Sequence, residues 1–405
     1  MKRLFAITAC LTLGSALVPA QIGPDLFRRH FIAKEMPGGN AGMGAPALAD
    51  FDGDGDLDYA FLNRADGRLY WFEYRAADDW VRHPAGSLRI RQLGSLTTDV
   101  DGDGRADIVV GGYWFRNPGN PRRGPFERYR YDSLITSEIH DMVLADMDGD
   151  GKNDVVAMGD REGCFWYSIP NQPARDADWP RTIITLEVRD DRADIHAGLN
   201  PAGVGDLDGD GDADVFLTDR WLENTARGTR WIEHRILFGR KGPWGLSSRS
   251  WIHDVDGDGD NDIVAADCDG QNSGVAWLEN DGARPPHFKA RYLANAAPGT
   301  RGSFHSLRLA DFDGDGDADI LVVEQEDPKI LPQGAGPRWF IWENLGGGRF
   351  VERVIFDGRL GGHDVLAGDV DGDGDIDLVS KVWNPWQGNA NGGRSHADYF
   401  ENLSR

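Results

Sequence analysis

Cysteine, methionine and basic residues are scarce in this 405-residue chain: 3 Cys, 6 Met, and 43 Lys plus Arg against 67 Asp plus Glu. So little cysteine excludes a disulfide-stapled fold. Cys10 sits in a stretch expected to be removed, and Cys164 and Cys268 fall in repeats that are not neighbours, so no bridge between them is expected. The formal charge of −24 argues against nucleic acid or anionic lipid as a partner. Also missing are any linker, low-complexity tract or composition shift that would mark a second domain. No nucleophile elbow, P-loop or dinucleotide fingerprint occurs.

The one long apolar run, Leu4 to Val18, is too short to span a membrane. It follows Lys2 and Arg3 and precedes the small residues Val18 and Ala20, which predicts a secretory signal over residues 1–20 and a secreted or periplasmic protein. Ile7-Thr8-Ala9-Cys10 resembles a lipoprotein cleavage box, but too few apolar residues precede it. Loss of Lys2 and Arg3 leaves 41 basic against 67 acidic residues, a charge of −26.

What is abundant is aspartate, in seven copies of the loop DxDGDGxxD. Its four Asp positions are Asp50, Asp52, Asp54 and Asp58; Asp99, Asp101, Asp103 and Asp107; Asp146, Asp148, Asp150 and Asp154; and Asp206, Asp208, Asp210 and Asp214. The remaining copies are Asp254, Asp256, Asp258 and Asp262; Asp311, Asp313, Asp315 and Asp319; and Asp369, Asp371, Asp373 and Asp377. Carboxylates at loop positions 1, 3, 5 and 9, with Gly55 at position 6 for the turn, have Ca²⁺-ligand spacing. Position 7, which is Asp56, Arg105 or Lys152 in the first three copies, would coordinate through its backbone carbonyl. An EF-hand would need Glu at position 12, where Phe61, Val110, Ala157, Leu217, Ala265, Val322 and Ser380 stand. Up to seven structural Ca²⁺ are expected, and seven would bring the charge to −12. The acidity is then a matter of metal loading rather than of partners.

The loops start 49, 47, 60, 48, 57 and 58 residues apart, a period suited to a four-stranded propeller blade. An apolar strand such as Asp107-Ile108-Val109-Val110 follows each loop, then a third segment such as Trp114-Phe115-Arg116-Asn117 or Trp277-Leu278-Glu279-Asn280. Trp166-Tyr167-Ser168-Ile169 is its weak copy. An alternating fourth strand completes the unit, as in Phe350-Val351-Glu352-Arg353-Val354-Ile355. The last repeat has no fourth strand after it. Phe27-Arg28-Arg29-His30-Phe31-Ile32 matches that pattern and is expected to close the ring, removing an open edge. The chain is therefore read as all-β: one seven-bladed β-propeller over residues 22–405. These motifs resemble the FG-GAP or VCBS repeat family, which includes the integrin α-subunit propeller. The resemblance implies that the acidic loops join first and second strands at a lower face.

Long connections, Glu187 to Pro201, Phe238 to Arg249, Ala294 to Gly302, Glu324 to Arg338 and Lys381 to Asp398, then fall on the upper face of blades four to seven. Elaboration of one face suggests a binding surface. His140, His305 and His363 each stand six residues before a loop, at the upper start of an innermost strand, and are expected to converge on the channel. His196 and His396 on long loops are candidate additions. Clustered imidazoles suit a transition metal such as Zn²⁺ or acid–base chemistry near neutral pH; against this stands a repeat consensus that merely bonds a neighbouring blade. Asp219, Arg220, Asp267, Glu324 and Lys381 are expected at the same face, followed by Trp383 and Trp386, a set suited to gripping sugars. His30, His83 and His234 repeat in outermost strands and are excluded.

Two functions follow. The first is a secreted, monomeric, calcium-binding propeller that binds an extracellular carbohydrate and acts as a polysaccharide lyase or dehydratase, with His140, His305 or His363 as base and Lys381 or Arg220 neutralising charge. The second is a non-catalytic, integrin-like adhesion module that docks a protein or glycan.

Overall fold

The computed structural model describes residues 21–39, 42–159, 161–188, 195–296, 299–331 and 336–404. The expected signal segment lies outside these residues, as do parts of three of the long upper connections. The described residues contain strands and turns but no helix, and so no helix long and apolar enough to cross a membrane.

Seven antiparallel four-stranded blades form the ring, each running outwards from its innermost strand in chain order except the seventh, and the sheet of the fifth gains one short parallel strand. The first blade is Met43–Ala49, Asp58–Asn63, Arg68–Ala76 and Asp79–Ser87. In the seventh, His363–Gly368, Asp377–Lys381 and Ala397–Asn402 are completed by Phe27–Ala33, which pairs Phe27 with Asn402 and His30 with Tyr399. The N-terminal strand closes the ring as expected.

Second strands such as Asp58–Asn63 and Asp319–Glu324 are buried at every residue, which is why they are written as unbroken apolar runs. Both of their faces pack on neighbouring blades. The core is accordingly divided into seven clusters, one per seam between blades. Trp71, Trp114, Trp221, Trp339 and Trp342 are fully buried in these seams. The excluded histidines have a packing role: His83 stacks on Trp71 at 4.5 Å and His234 on Trp221 at 4.4 Å.

Six of the seven acidic loops wind around their first Asp through three backbone N–H groups, whereas Asp369 accepts from Gly374 N alone. Asp50 accepts backbone N–H groups from Gly53, Asp54 and Gly55 at 2.7, 3.2 and 3.1 Å. Gly53 and Gly55 have φ of 80° and 103°, so position 4 as well as position 6 needs a residue free to be left-handed. The ninth residue, Asp58, accepts from Phe51 N and Tyr74 N, both at 3.0 Å, tying the loop to the third strand. A latch between blades builds on this tie. Asn117, Asn224, Asn280 and Asn402 donate side-chain N–H to the carbonyls of Phe51, Met147, Leu207 and Phe312 in the preceding blade's loop, at 2.7, 3.1, 2.9 and 3.1 Å. Ile169 and Tyr74 hold that position in the third and first blades, and Asn344 in the sixth donates instead to Ala318 O of its own blade at 3.2 Å.

Blade four departs from the repeat. Pro201–Ala202 leaves it and pairs in parallel with Ser250 and Trp251 of blade five, and only Val204–Gly205 remains as innermost strand. A Cβ on Gly203 would lie 2.4 Å from Ser250 Oγ, so this close approach requires glycine. The connection from Phe238 to Arg249 contains a small hairpin, Lys241–Gly242 with Gly245–Leu246, and Leu246 O accepts from His196 N at 2.7 Å.

Candidate functional site at the upper end of the channel

The innermost strands Asp141–Ala145, Ser248–His253, Phe304–Ala310 and His363–Gly368 begin at the upper end of the channel. Bulges interrupt pairing between Phe304 and Ser306 and between His363 and Leu366, and Asp364 has φ of 52°. Bulges re-aim side chains where pairing ends, and here groups from separate blades meet. His305 stacks on His363 (centroids 3.9 Å apart, planes at 19°), and His363 stacks on Trp383 (4.9 Å, 17°). Arg64 lies over Trp383 at 4.8 Å, so four flat groups form one column. His140 is 6.3 Å from His305 and stands edge-on to His196 at 4.4 Å. The three equivalently spaced histidines do converge, with His196 beside them.

Carboxylates and cations fix the imidazoles. His140 Nδ1 is 2.8 Å from Asp141 Oδ1 and donates to it, which leaves Nε2 as the basic nitrogen. Asp141 Oδ2 also accepts the N–H groups of Gly198, Leu199 and Asn200 at 2.8, 2.9 and 3.3 Å, holding the loop that carries His196. Arg249 donates to Asp141 at 3.0 Å, to Asp364 at 2.8 Å and to His305 Nδ1 at 2.7 Å. His305 therefore turns its Nε2–H toward Asp269 Oδ1, 3.5 Å away. Asp364 Oδ2 lies 2.7 Å from His363 Nδ1 and 3.2 Å from Lys381 Nζ.

Burial works to raise the carboxyl of Asp141, but His140 and Arg249 hold it well below the usual range. Asp364 is likewise held low against burial by His363, Lys381 and Arg249. Burial pulls the fully buried Lys381 ammonium down to about 8 against the attraction of Asp364. Burial also drives His363 well below the ordinary imidazole range. At neutral pH the cluster thus combines ionised carboxylates, two cations and a neutral imidazole.

Two spaces adjoin it. Below, a channel cavity of about 360 Å³ is bounded by Arg249, His305 and Asp364. Above, a depression of about 390 Å³ is lined by Ile90, Arg91, Ser137, Glu138, His140 and Arg161. Arg64 pairs with Glu138 at this depression. It belongs to blades two and three, whereas loop length had pointed to blades four to seven.

The other expected residues lie apart from the cluster. Arg220, 1% exposed, opens a third strand and is neutralised by Asp219 and Glu233, each at 2.8 Å. Glu324 is buried against Arg338 at 3.0 Å and accepts from Gly302 N at 2.7 Å. His396 is fully buried beside Asp398 at 2.6 Å, and Trp386 donates its backbone N–H to Glu326 at 3.2 Å. These are internal pairings that long loops need when they fold over blade edges. Asp267 lines a separate pocket with Arg240, Lys241 and Asn272, where burial raises its carboxyl to about 6.

Asp141, Arg249 and Asp364 were missed, although all three stand five residues before a loop, one place beyond the histidine position. Comparing that column across the seven repeats would have found them. Arg64, Arg91, Glu138 and Arg161 carry no repeat signal.

The acidic loops suit a hard cation. Carboxylate oxygens of Asp50, Asp52 and Asp58 lie within 4.8 Å of one another, as do those of Asp99, Asp101 and Asp107, and of Asp146, Asp148 and Asp154. Asp52 Oδ1, Asp101 Oδ1, Asp256 Oδ1 and Asp369 Oδ1 are buried without a hydrogen-bond partner. Burial, then the neighbouring Asp54, pushes Asp52 up to about 6, the behaviour of crowded carboxylates that a cation would relieve. In the first two blades arginine shares this role: Arg122 lies 2.8 Å from Asp54, and Arg116 lies 2.6 Å from Asp101.

A family model for the FG-GAP-like repeat matches residues 50–110, 99–157, 254–322 and 330–380, more than half of the chain. Similar solved structures include BBS1N in complex with ARL6DN (10% identity, 91% of this chain and 97% of that chain, TM-score 0.52). Another is YCF48 from Cyanidioschyzon merolae (10% identity, 91% and 98%, TM-score 0.50). A third is an Agrocybe aegerita lectin that recognises non-reducing terminal N-acetylglucosamine (21% identity, 78% and 81%, TM-score 0.48). The first two likenesses concern the fold alone. The search of curated proteins gave no match.

Proposed function

Because the chain belongs to the FG-GAP-like repeat family, its ring and acidic loops are common property, and we propose that its own activity resides in the histidine cluster. In this reading the protein is a secreted, calcium-loaded propeller that binds an anionic extracellular carbohydrate in the depression above His140 and cleaves it by β-elimination, as a lyase or dehydratase. One observation carries it: His140, with its tautomer set by Asp141, opens into a depression flanked by Arg91 and Arg161.

The arginines would neutralise a uronate carboxylate, which lowers the cost of removing the proton on the adjacent carbon. His140 Nε2 takes that proton, a double bond forms, and the bond from the next carbon to the leaving oxygen breaks. The leaving oxygen takes a proton from water or from the imidazolium so formed. Asp141 and Arg249 hold the imidazole in place, and the Trp383 ring, stacked between His363 and Arg64, fixes the guanidinium at the edge of the depression.

His305, His363 and Asp364 are close enough to hold a metal. Arg249 and Lys381 already bring positive charge to the same atoms, so this reading assigns the chemistry to side chains rather than to Zn²⁺. Calcium at the seven loops is a structural part of the proposal.

Uronate-containing polysaccharides would be screened for the ultraviolet absorbance of an unsaturated product. The native protein should form it, and His140→Ala should reduce the rate by about 10²- to 10⁴-fold. His396→Ala, away from the depression, should leave the rate unchanged. A second reading, a non-catalytic glycan- or protein-binding module, is favoured by the complete internal pairing of Asp141 and Asp364. Uronate binding that weakens in Arg91→Ala without any product would select it.

A further inference from the structure

The channel below the cluster contains a charge that the proposed reaction does not use. Three residues before each acidic loop, the innermost strands place Ala47, Leu96, Val143, Gly203, Trp251 and Leu366 in six blades, and Arg308 in the sixth. Ala47, Leu96, Val143, Leu366 and Arg308 line the same 360 Å³ cavity. One guanidinium therefore stands in an otherwise apolar collar.

Among the described residues no carboxylate lies within ion-pair distance of Arg308; its one hydrogen bond is from Nη1 to the carbonyl of Leu307, at 2.6 Å. Asp364, the acid at the top of the same cavity, is taken up by Arg249, His363 and Lys381. A second donor borders the space: Asn200 uses Oδ1 to accept from Met142 N at 3.2 Å, which leaves its amide N–H groups for another acceptor. A half-buried guanidinium facing the cavity, whose remaining N–H groups meet no acceptor among the described residues, can offer two of them together to an oxyanion.

We propose that the central channel holds a binding site for a small oxyanion, with Arg308 as its principal ligand. The cavity admits an anion the size of acetate, sulfate or phosphate. Burial pulls the guanidinium down to about 10, still fully charged at neutral pH. The site shares Arg249 and Asp364 as its ceiling but is separate from the depression above His140, so its existence does not depend on the carbohydrate reading.

The test is calorimetric titration of the calcium-loaded protein, in a chloride buffer, with acetate, sulfate and phosphate in turn. Saturable binding of at least one anion is expected, with acetate marking a planar site and sulfate or phosphate a tetrahedral one. Arg308→Leu should weaken it by about tenfold or more. This variant should fold, since leucine occupies the same place in blades two and seven. Arg308→Lys should retain part of the affinity, and His140→Ala should retain all of it. The proposal is overturned if none of the anions binds, or if Arg308→Leu binds as tightly as the native protein.

Discussion

The two faces of the ring are built on opposite rules. On the lower face the loops repeat one hydrogen-bond pattern, with the first Asp wrapped by N–H groups in six blades and the ninth tied to the end of the third strand in all but the third blade, where Asp154 accepts only from Met147 N. On the upper face the blades differ: blades three and seven each contribute a His-Asp pair, His140 with Asp141 and His363 with Asp364, blade five contributes Arg249 and blade six His305. Repetition serves stability, because each blade solves the same folding problem. Asymmetry would serve recognition in the proposed function, because a ligand on the axis would meet edges that differ.

Removing calcium should break the comparison most severely. A ligand that binds only the folded state stabilises it by about 2.7 kcal/mol per site at roughly hundredfold excess over Kd. Several sites together should lower the melting temperature sharply on chelation, with calcium restoring it. Unchanged melting, with no calcium in elemental analysis, would remove the metal from the lower face. On the upper face, Asp364→Ala leaves the buried Lys381 without its carboxylate and Arg249 with Asp141 alone, and should cost about 3–5 kcal/mol in denaturant unfolding. A cost near zero would mean that water already serves both cations.

A pH series sharpens the contrast. Lys381 falls from 10.5 in the unfolded chain to about 8 in the folded one, so between those values the unfolded chain binds more protons. The penalty for burying its charge is therefore full below pH 8 and fades as pH rises toward 10.5. Unfolding measured in Lys381→Met alongside the native protein should show that rise only in the latter. The smallest effect is expected at the periphery: His234→Ala loses a stack on Trp221 and should cost about 0.5–1.5 kcal/mol without altering ligand binding.

How much could be read beforehand follows the same division. The loops, the blade count, closure by residues 27–33 and the meeting of His140, His305 and His363 all rest on fixed spacing, and spacing survives translation into a ring. Arg220, Glu324 and His396 misled because a charged residue near a strand end looks the same in sequence whether it faces solvent or is paired inside. Asp141, Arg249 and Asp364 share a register position but not a residue type, so no motif marks them. The left-handed backbone of Asp364 and the bulges beside it, which bring the cluster together, leave no trace in composition.

The asparagine latches have a mechanical consequence. A barrel hoop fails where a rivet is missing, and the seam between blades two and three is such a place, since Ile169 stands where the latching asparagine would be. A lower-face opening of about 400 Å³, lined by Asp99, Lys152 and Ile169 among others, lies there. The seams between blades five and six and between seven and one also lack the latch; the former keeps an asparagine, Asn344, turned to Ala318 O of its own blade, and the latter is filled by Tyr74, Trp80 and Tyr399, packed edge to face. Tension on this ring should therefore be released between Asp99 and Asp154, and amide exchange should be fastest along that seam. The propeller is a closed circle in its topology and a clasp in its mechanics.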